Sequence, residues 1–191
     1  GMSPFLLQAA SSLVGVITNK IVDINGGTYG VAIMTIINSY LPLMTMSVYS
    51  VSQAIQPIVG FNYGAKNYER VRESLLTAVY AGVGLSAIFW AVVMIFPKEM
   101  VLFFNEKSTF SALKEGEKAM RTYFSLVILS SFGIIIPNYF QATGRSKYSV
   151  ILNLLRQVII FLIVVIIFSN IFKLNGVWYA QPFTDFLFFV I

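Results

Sequence analysis

Gln56-Pro57-Ile58-Val59-Gly60-Phe61-Asn62-Tyr63-Gly64-Ala65-Lys66-Asn67-Tyr68-Glu69-Arg70-Val71-Arg72 is the stretch from which the architecture is read. Before its first charge the chain is uncharged from Ile24 to Ala65. Beyond five charges in eight positions, Lys66 to Glu73, a second uncharged run extends from Ser74 to Pro97. Each run exceeds the ~20 residues of apolar helix that cross a bilayer. The stretch therefore reads as a short basic hairpin between two membrane-spanning helices.

The pattern returns eighty positions later: Pro57, Gly64 and Tyr68 are spaced like Pro137, Gly144 and Tyr148, and Lys66 is echoed by Lys147. In both places an apolar helix carries a late proline, turns at a glycine and meets basic residues, Arg70 and Arg72 in one hairpin and Arg145 in the other. A late proline is tolerated where neighbouring groups satisfy the freed carbonyl. A glycine supplies the positive φ that ends a helix. Two spans separate the hairpins, so they lie on the same side of the membrane.

Composition agrees. Of 191 residues, 57% are hydrophobic and 11% charged, against ~25% charged in soluble domains, and the mean hydropathy is +0.78. The fold class expected is all-α, a polytopic membrane protein built as a bundle of six transmembrane helices. Cysteine and histidine are absent, which removes disulfides, thiol nucleophiles and the usual transition-metal ligands. Metalloprotease, nucleophile-elbow and phosphate-loop motifs are also missing. No enzyme activity, metal or cofactor is expected. The net charge of +5 lies in loops and helix ends, where it serves topology and lipid headgroups rather than nucleic acid. Gly1-Met2-Ser3-Pro4 has no basic leader, and the chain reads as part of a larger protein cut at both ends.

Six helices are expected, over about 4–25, 29–61, 71–96, 122–143, 148–172 and 177–191. Asn25-Gly26-Gly27 forms the first turn, and Pro42 kinks the second helix. Gly82 and Gly84 allow close packing of the third. A surface helix beginning at Ser108 or Thr109 leads into the fourth, and Trp178 with Tyr179 forms part of an aromatic belt. Polar residues fall in stripes. Gln8, Ser12, Gly15, Asn19 and Asp23 share one helical face, as do Asn38, Thr45, Tyr49, Ser52 and Gln56. The fourth helix adds Ser130, Ser131, Asn138 and Gln141.

Polar groups in hydrocarbon turn towards other helices or a wet cavity. Isolated serines and Thr45 read as interhelical glue. The stripes with Gln8, Asn19, Asn38, Tyr49 and Gln56 read equally as glue or as a cavity wall for a solute. Asp185 lies nine positions past Gly176, about 14 Å along a helix and near mid-membrane. It reads as a carrier of protons or cations, as partner to a cation, or as a carboxylate held by Gln181. Asp23 reads as an interfacial partner of Lys20, and Arg156 as an anchor at the start of its helix in preference to a substrate contact.

Three groups of residues carry a family resemblance. Ser3-Pro4-Phe5-Leu6-Leu7-Gln8 with Asn19 is one. Gln56-Pro57 through Gly64-Ala65 with Arg70-Val71-Arg72 is the second. The third joins Pro137, Ala142-Thr143-Gly144-Arg145-Ser146-Lys147 and Gln181-Pro182-Phe183-Thr184-Asp185. In order, these resemble the seventh helix, the eighth-to-ninth junction, and the tenth-to-eleventh junction with the twelfth helix of multidrug and toxic compound extrusion (MATE) transporters. The chain is thus similar to that family's C-terminal six-helix lobe.

The resemblance implies a half-transporter of the plasma (bacterial inner) membrane whose partner is an N-terminal six-helix lobe. It implies antiport, in which H+ or Na+ drives export of bulky, often cationic or aromatic drug-like compounds, with both hairpins facing the cytoplasm. Gln8 stands where some members carry a carboxylate, and no acid lies between Tyr123 and Gln141. This resembles the branch whose coupling aspartate is in the first helix. Gln8, Ser12, Asn19, Asn38, Thr45, Tyr49, Gln56, Asn138 and Gln141 are the expected cavity residues, and Asp185 is a possible coupling site. The rival readings are a lipid-linked oligosaccharide flippase of the same superfamily, or a membrane scaffold subunit. The flippase is disfavoured because the stripes hold no basic residue but terminal Lys20.

Overall fold

The computed structural model describes residues 2–104 and 110–191, with side chains from Leu7 to Phe104 and from Ala112 onward. Helices account for nearly all of it. α1 (Met2–Gly64) is two helical arms, residues 2–26 and 28–64, that meet at Gly27. Gly27 has φ 54° and ψ −155°, a conformation that only glycine adopts without strain. The expected three-residue turn is thus one residue. The arms fold back on each other, since a Cβ on Gly30 would come within 3.3 Å of the Val22 carbonyl oxygen. Pro42 lies within helical backbone.

Next come α2 (Tyr68–Ile95), the short α3 (Pro97–Phe104), α4 (Phe110–Tyr123) and α5 (Val127–Ala142). α4 runs into α5 through a bend of 42°, so the two make one broken span. The expected start of α4 at Ser108 or Thr109 lies outside the described residues. The next span is α6 (Ser146–Leu154), a π-helical turn (Leu155–Ile160) and α7 (Phe161–Phe172). α8 (Leu174–Val190) closes the chain. Leu7–Gly64, Tyr68–Ile95 and Ser146–Phe172 are long and apolar enough to cross a membrane, and the bent α4–α5 pair makes a further span. With the two arms of α1 counted separately, and α8 added, the architecture is a six-helix membrane bundle.

One continuous apolar core holds it together, centred on Ile37 and Val48 of α1, Met120 of α4, Phe124, Ile135 of α5, Val165 of α7 and Val177 of α8. Leu13, Tyr80, Ile88, Phe103 and Ile163 are exposed and form the apolar outer face that a lipid-embedded bundle presents. Trp178 is 3% exposed and packs in this core, so the expected aromatic belt is wrong there. Gly82 does serve close packing, because a Cβ would meet Ile135 Cδ1 at 2.7 Å, whereas Gly84 has nothing within 4 Å. Ser86 and Ser131 bond across the α2–α5 contact at 2.8 Å, and Ser131 Oγ donates to Gly82 O at 3.1 Å. Those serines are glue.

The two hairpins match in geometry, but two residues away from the sequence register. In the second, Gly144 has φ 77°, and Arg145 N reaches back to Phe140 O at 2.9 Å. In the first, Asn67 N makes the same reach to Asn62 O at 2.8 Å, but the left-handed residue is Lys66, φ 60°. Gly64 remains helical, which corrects the expectation that it turns the chain. Helix α1 runs on because Asn67 caps α2, accepting from Arg70 N, and this places the reversal just before it. An L-residue in that region costs about 1 kcal/mol. Lys66→Gly is therefore expected to raise unfolding stability by about 0.5–1 kcal/mol and Gly144→Ala to lower it by about 1 kcal/mol. Thermal unfolding of the purified protein reads both. Gly144 has nothing within 4 Å of an added Cβ, so its loss reports backbone strain alone.

Candidate functional site

Two adjoining cavities lie between the arms of α1, α5, the 146–172 span and α8. The first, about 330 Å3, is walled by Ser11, Gly15, Thr18 and Asn19 from one arm and Met34, Asn38, Thr45 and Tyr49 from the other. Tyr123, Ser130, Arg156, Gln157, Gln181 and Thr184 complete its polar wall. The second, about 500 Å3, includes Gln8, Tyr49, Asn138, Gln141, Asn153 and Gln157. Ser11, Tyr49 and Gln157 belong to both, so the two form one cleft. Ser11 Oγ donates to Gln157 Oε1 at 3.2 Å, and Gln157 Nε2 to Asn153 Oδ1 at 3.3 Å. Pockets that hold drug-sized ligands span about 300–1,000 Å3.

Of the nine expected cavity residues, Gln8, Asn19, Asn38, Thr45, Tyr49, Asn138 and Gln141 lie on these walls. Ser12 and Gln56 do not. Ser12 donates to Gln8 O at 3.0 Å and sits roughly 90° around the helix from the lining face, which centres between Gly15 and Thr18. Gln56 shares the face of Asn38 and Tyr49 but lies seven residues past Tyr49, about 10 Å further along the axis. It falls beyond the cavity's end. Ser11 and Thr18 were missed, although an i, i+4 series from Ser11 through Gly15 to Asn19 was available as a signal. Pro42 has a further effect here. Lacking an N–H, it leaves the Asn38 carbonyl without its helical partner on a residue of the cavity wall. Thr45 Oγ1 is turned back to Leu41 O at 3.1 Å.

The hairpin residues stand apart from the cleft. Pro57, Gly64, Arg70, Arg72, Gly144, Arg145 and Lys147 are exposed and Pro137 is buried. Arg145 Nη2 donates to Tyr63 OH at 3.3 Å, joining the two hairpins.

Asp185 is 2% exposed. Its Oδ1 accepts from Arg156 Nη1 at 3.0 Å, and its Oδ2 from Ser130 Oγ and from Gln181 Nε2 at 3.1 Å. Tyr123 OH donates to Gln181 Oε1 at 3.5 Å. Among the described residues the Arg156–Asp185 pair is the sole ion pair, so the expected Lys20–Asp23 pair is not formed. Arg156 is 8% exposed, which overturns its reading as an anchor at the start of its helix. It is ten residues past Ser146, about 15 Å along the helix and too deep to reach the interface. Two features make room for it. The π-turn Leu155–Ile160 widens the helix, so that the consecutive residues Arg156 and Gln157 both face the cavity. Gly133 leaves space that a Cβ would fill, since it would come within 2.7 Å of Arg156 Cδ and Nε. The wall therefore carries one internal cation, supplied from outside the predicted polar stripes. It is one guanidinium tied to a carboxylate, not the cluster that a pyrophosphate would call for.

A family model described as MatE matches residues 5–167. The chain belongs to the MatE family. Among relatives, the multidrug export protein MepA of Staphylococcus haemolyticus is 19% identical over 177 residues, which is 93% of this chain and 38% of that protein. An outward-facing multidrug resistance MATE transporter superposes with TM-score 0.91 at 22% identity, covering 100% of this chain and 43% of the other. The MATE multidrug transporter DinF-BH gives TM-score 0.85 at 31% identity, covering 100% and 42%. A MOP superfamily transporter from Pyrococcus furiosus gives 0.91 at 22%, covering 100% and 43%. The chain spans about two fifths of the length of these relatives, and its six helices match one lobe of the MatE fold.

Proposed function

We propose that this MatE lobe forms half of an efflux antiporter of the plasma membrane. Its partner is a second six-helix lobe, and its substrates are bulky, aromatic and often cationic drug-like compounds. The observation that carries this reading is the cleft itself. An apolar bundle keeps two connected cavities walled by amides, hydroxyls and tyrosines from both arms of α1, α5 and the 146–172 span. Scaffolding would close such groups on one another. Amides and Met34 on the wall orient a solute without demanding one ligand. Export would proceed by one lobe rocking against the other, driven by H+ or Na+. Asp185 is held by three donors, so we assign it as the partner of Arg156 and place the coupling acid in the other lobe. Proteoliposomes with an imposed proton or sodium gradient distinguish the ions.

The full-length protein with Gln8→Ala, Asn38→Ala and Tyr49→Ala together is expected to export rhodamine 6G at least ~10-fold more slowly. Each lost polar contact in a membrane bundle is worth about 0.6–2 kcal/mol, and 1.4 kcal/mol is a decade. Unchanged efflux and drug resistance at equal protein levels would mean that these walls do not bind the solute.

A further inference from the structure

Arg156 donates less than it could. Asp185 accepts three hydrogen bonds, two of them from the uncharged donors Ser130 and Gln181. Among the described residues the guanidinium gives only one, from Nη1, and its Nε has no partner. A guanidinium presents five N–H groups in a rigid fork, and leaving them unmet at such depth is costly. The carboxylate is therefore not what limits the site; the cation has donors to spare. Gly133 and the π-turn give it its place, and it sits on the wall of the 330 Å3 cavity among Ile134, Phe161 and Tyr49.

We propose that Arg156 is the anchor for a carboxylate-bearing aromatic solute. Nε is enclosed against Gly133, so the solute's carboxylate takes the remaining N–H groups at the Nη1 and Nη2 end of the fork, and its rings lie against the apolar wall. Arg binds carboxylates in this planar, two-toothed manner, which Lys cannot copy. Asp185 holds the guanidinium from behind. Its negative charge is already shared with Ser130 and Gln181, so a second carboxylate on the cation can be accommodated. This inference rests on the efflux reading and extends it to a substrate class, carboxylates, opposite in charge to the cations expected from the sequence.

The test is equilibrium binding to the purified full-length protein by fluorescence anisotropy, using two dyes that share a xanthene frame. Fluorescein carries a free carboxylate; rhodamine 6G is a cationic ester. Fluorescein is expected to bind, and Arg156→Lys to lower the ratio of fluorescein to rhodamine 6G affinity about tenfold. Gly133→Ala, which unseats Arg156 without removing its charge, is expected to lower the same ratio. No fluorescein binding by the unaltered protein would overturn the proposal, as would variants that weaken both dyes equally. Rhodamine 6G efflux decides the other question. Arg156-dependent fluorescein binding without any dye efflux would keep this site and refute the transporter reading, while efflux without that dependence would refute this site alone.

Discussion

Asp185→Ala is expected to destabilise the full-length protein by about 3–5 kcal/mol, read as a large drop in its thermal unfolding temperature in detergent. The substitution leaves the Arg156 guanidinium 8% exposed, with its single hydrogen-bonded partner among the described residues gone. Removing one member of a buried pair is worse than removing both, because it strands a charge away from water. The double variant Arg156→Met with Asp185→Leu is accordingly expected to recover most of the loss, its apolar side chains filling the space beside Phe188 and Gly133. Ser130→Ala should cost less, about 1–2 kcal/mol, since Gln181 still donates to the same carboxylate oxygen. If Asp185→Ala melted no lower than Ser130→Ala, the pair would not hold α5, the 146–172 span and α8 together. A double variant no better than the single one would show that packing, rather than charge, dominates there.

That network also shows how far the residues alone could be read. Spans and hairpins were readable because charge is excluded from hydrocarbon: Ile24 to Ala65 and Ser74 to Pro97 contain none. Helical spacing likewise put Gln8, Asn19, Asn38, Thr45 and Tyr49 on faces that border the cleft. It could not say where along a face the cavity stops, which is why Gln56 fell outside it. Nor could it show partners on other helices. Asp185 stood out by its depth, but Arg156 sits 29 residues away in sequence and looked shallow because it is only about two turns past Tyr148, near the expected start of its helix. Its burial depends on Gly133, on another helix, and on a π-turn without a spacing signature. The register of the first hairpin slipped for a similar reason. Gly64 is the obvious turn residue, yet the cap at Asn67 moves the reversal to Lys66.

Gly176→Ala is expected to be the most damaging single-methyl change, costing about 3 kcal/mol or more and impairing any activity that uses the cleft. An added Cβ would lie 2.0 Å from Phe168 O, 2.3 Å from its carbonyl carbon and 2.7 Å from Ser169 N. These are backbone atoms of α7, so no rotamer change relieves the overlap. The α7–α8 turn leaves little slack, with Lys173 at φ 55° and Gly176 N bonded back to Lys173 O at 3.0 Å. α8 would have to move off α7, loosening Val177, Trp178 and Ala180, all buried. The same shift would carry Gln181, Thr184 and Asp185 away from Ser130 and Arg156, because they ride on one rigid helix. Stability and the Arg156 site should therefore fail together. Gly84→Ala is the control, with nothing within 4 Å and a better helix former in place of glycine, so its stability should be unchanged or raised by up to about 1 kcal/mol. Comparable melting of the Gly176→Ala and Gly84→Ala proteins would mean that α7 and α8 are not packed backbone to backbone.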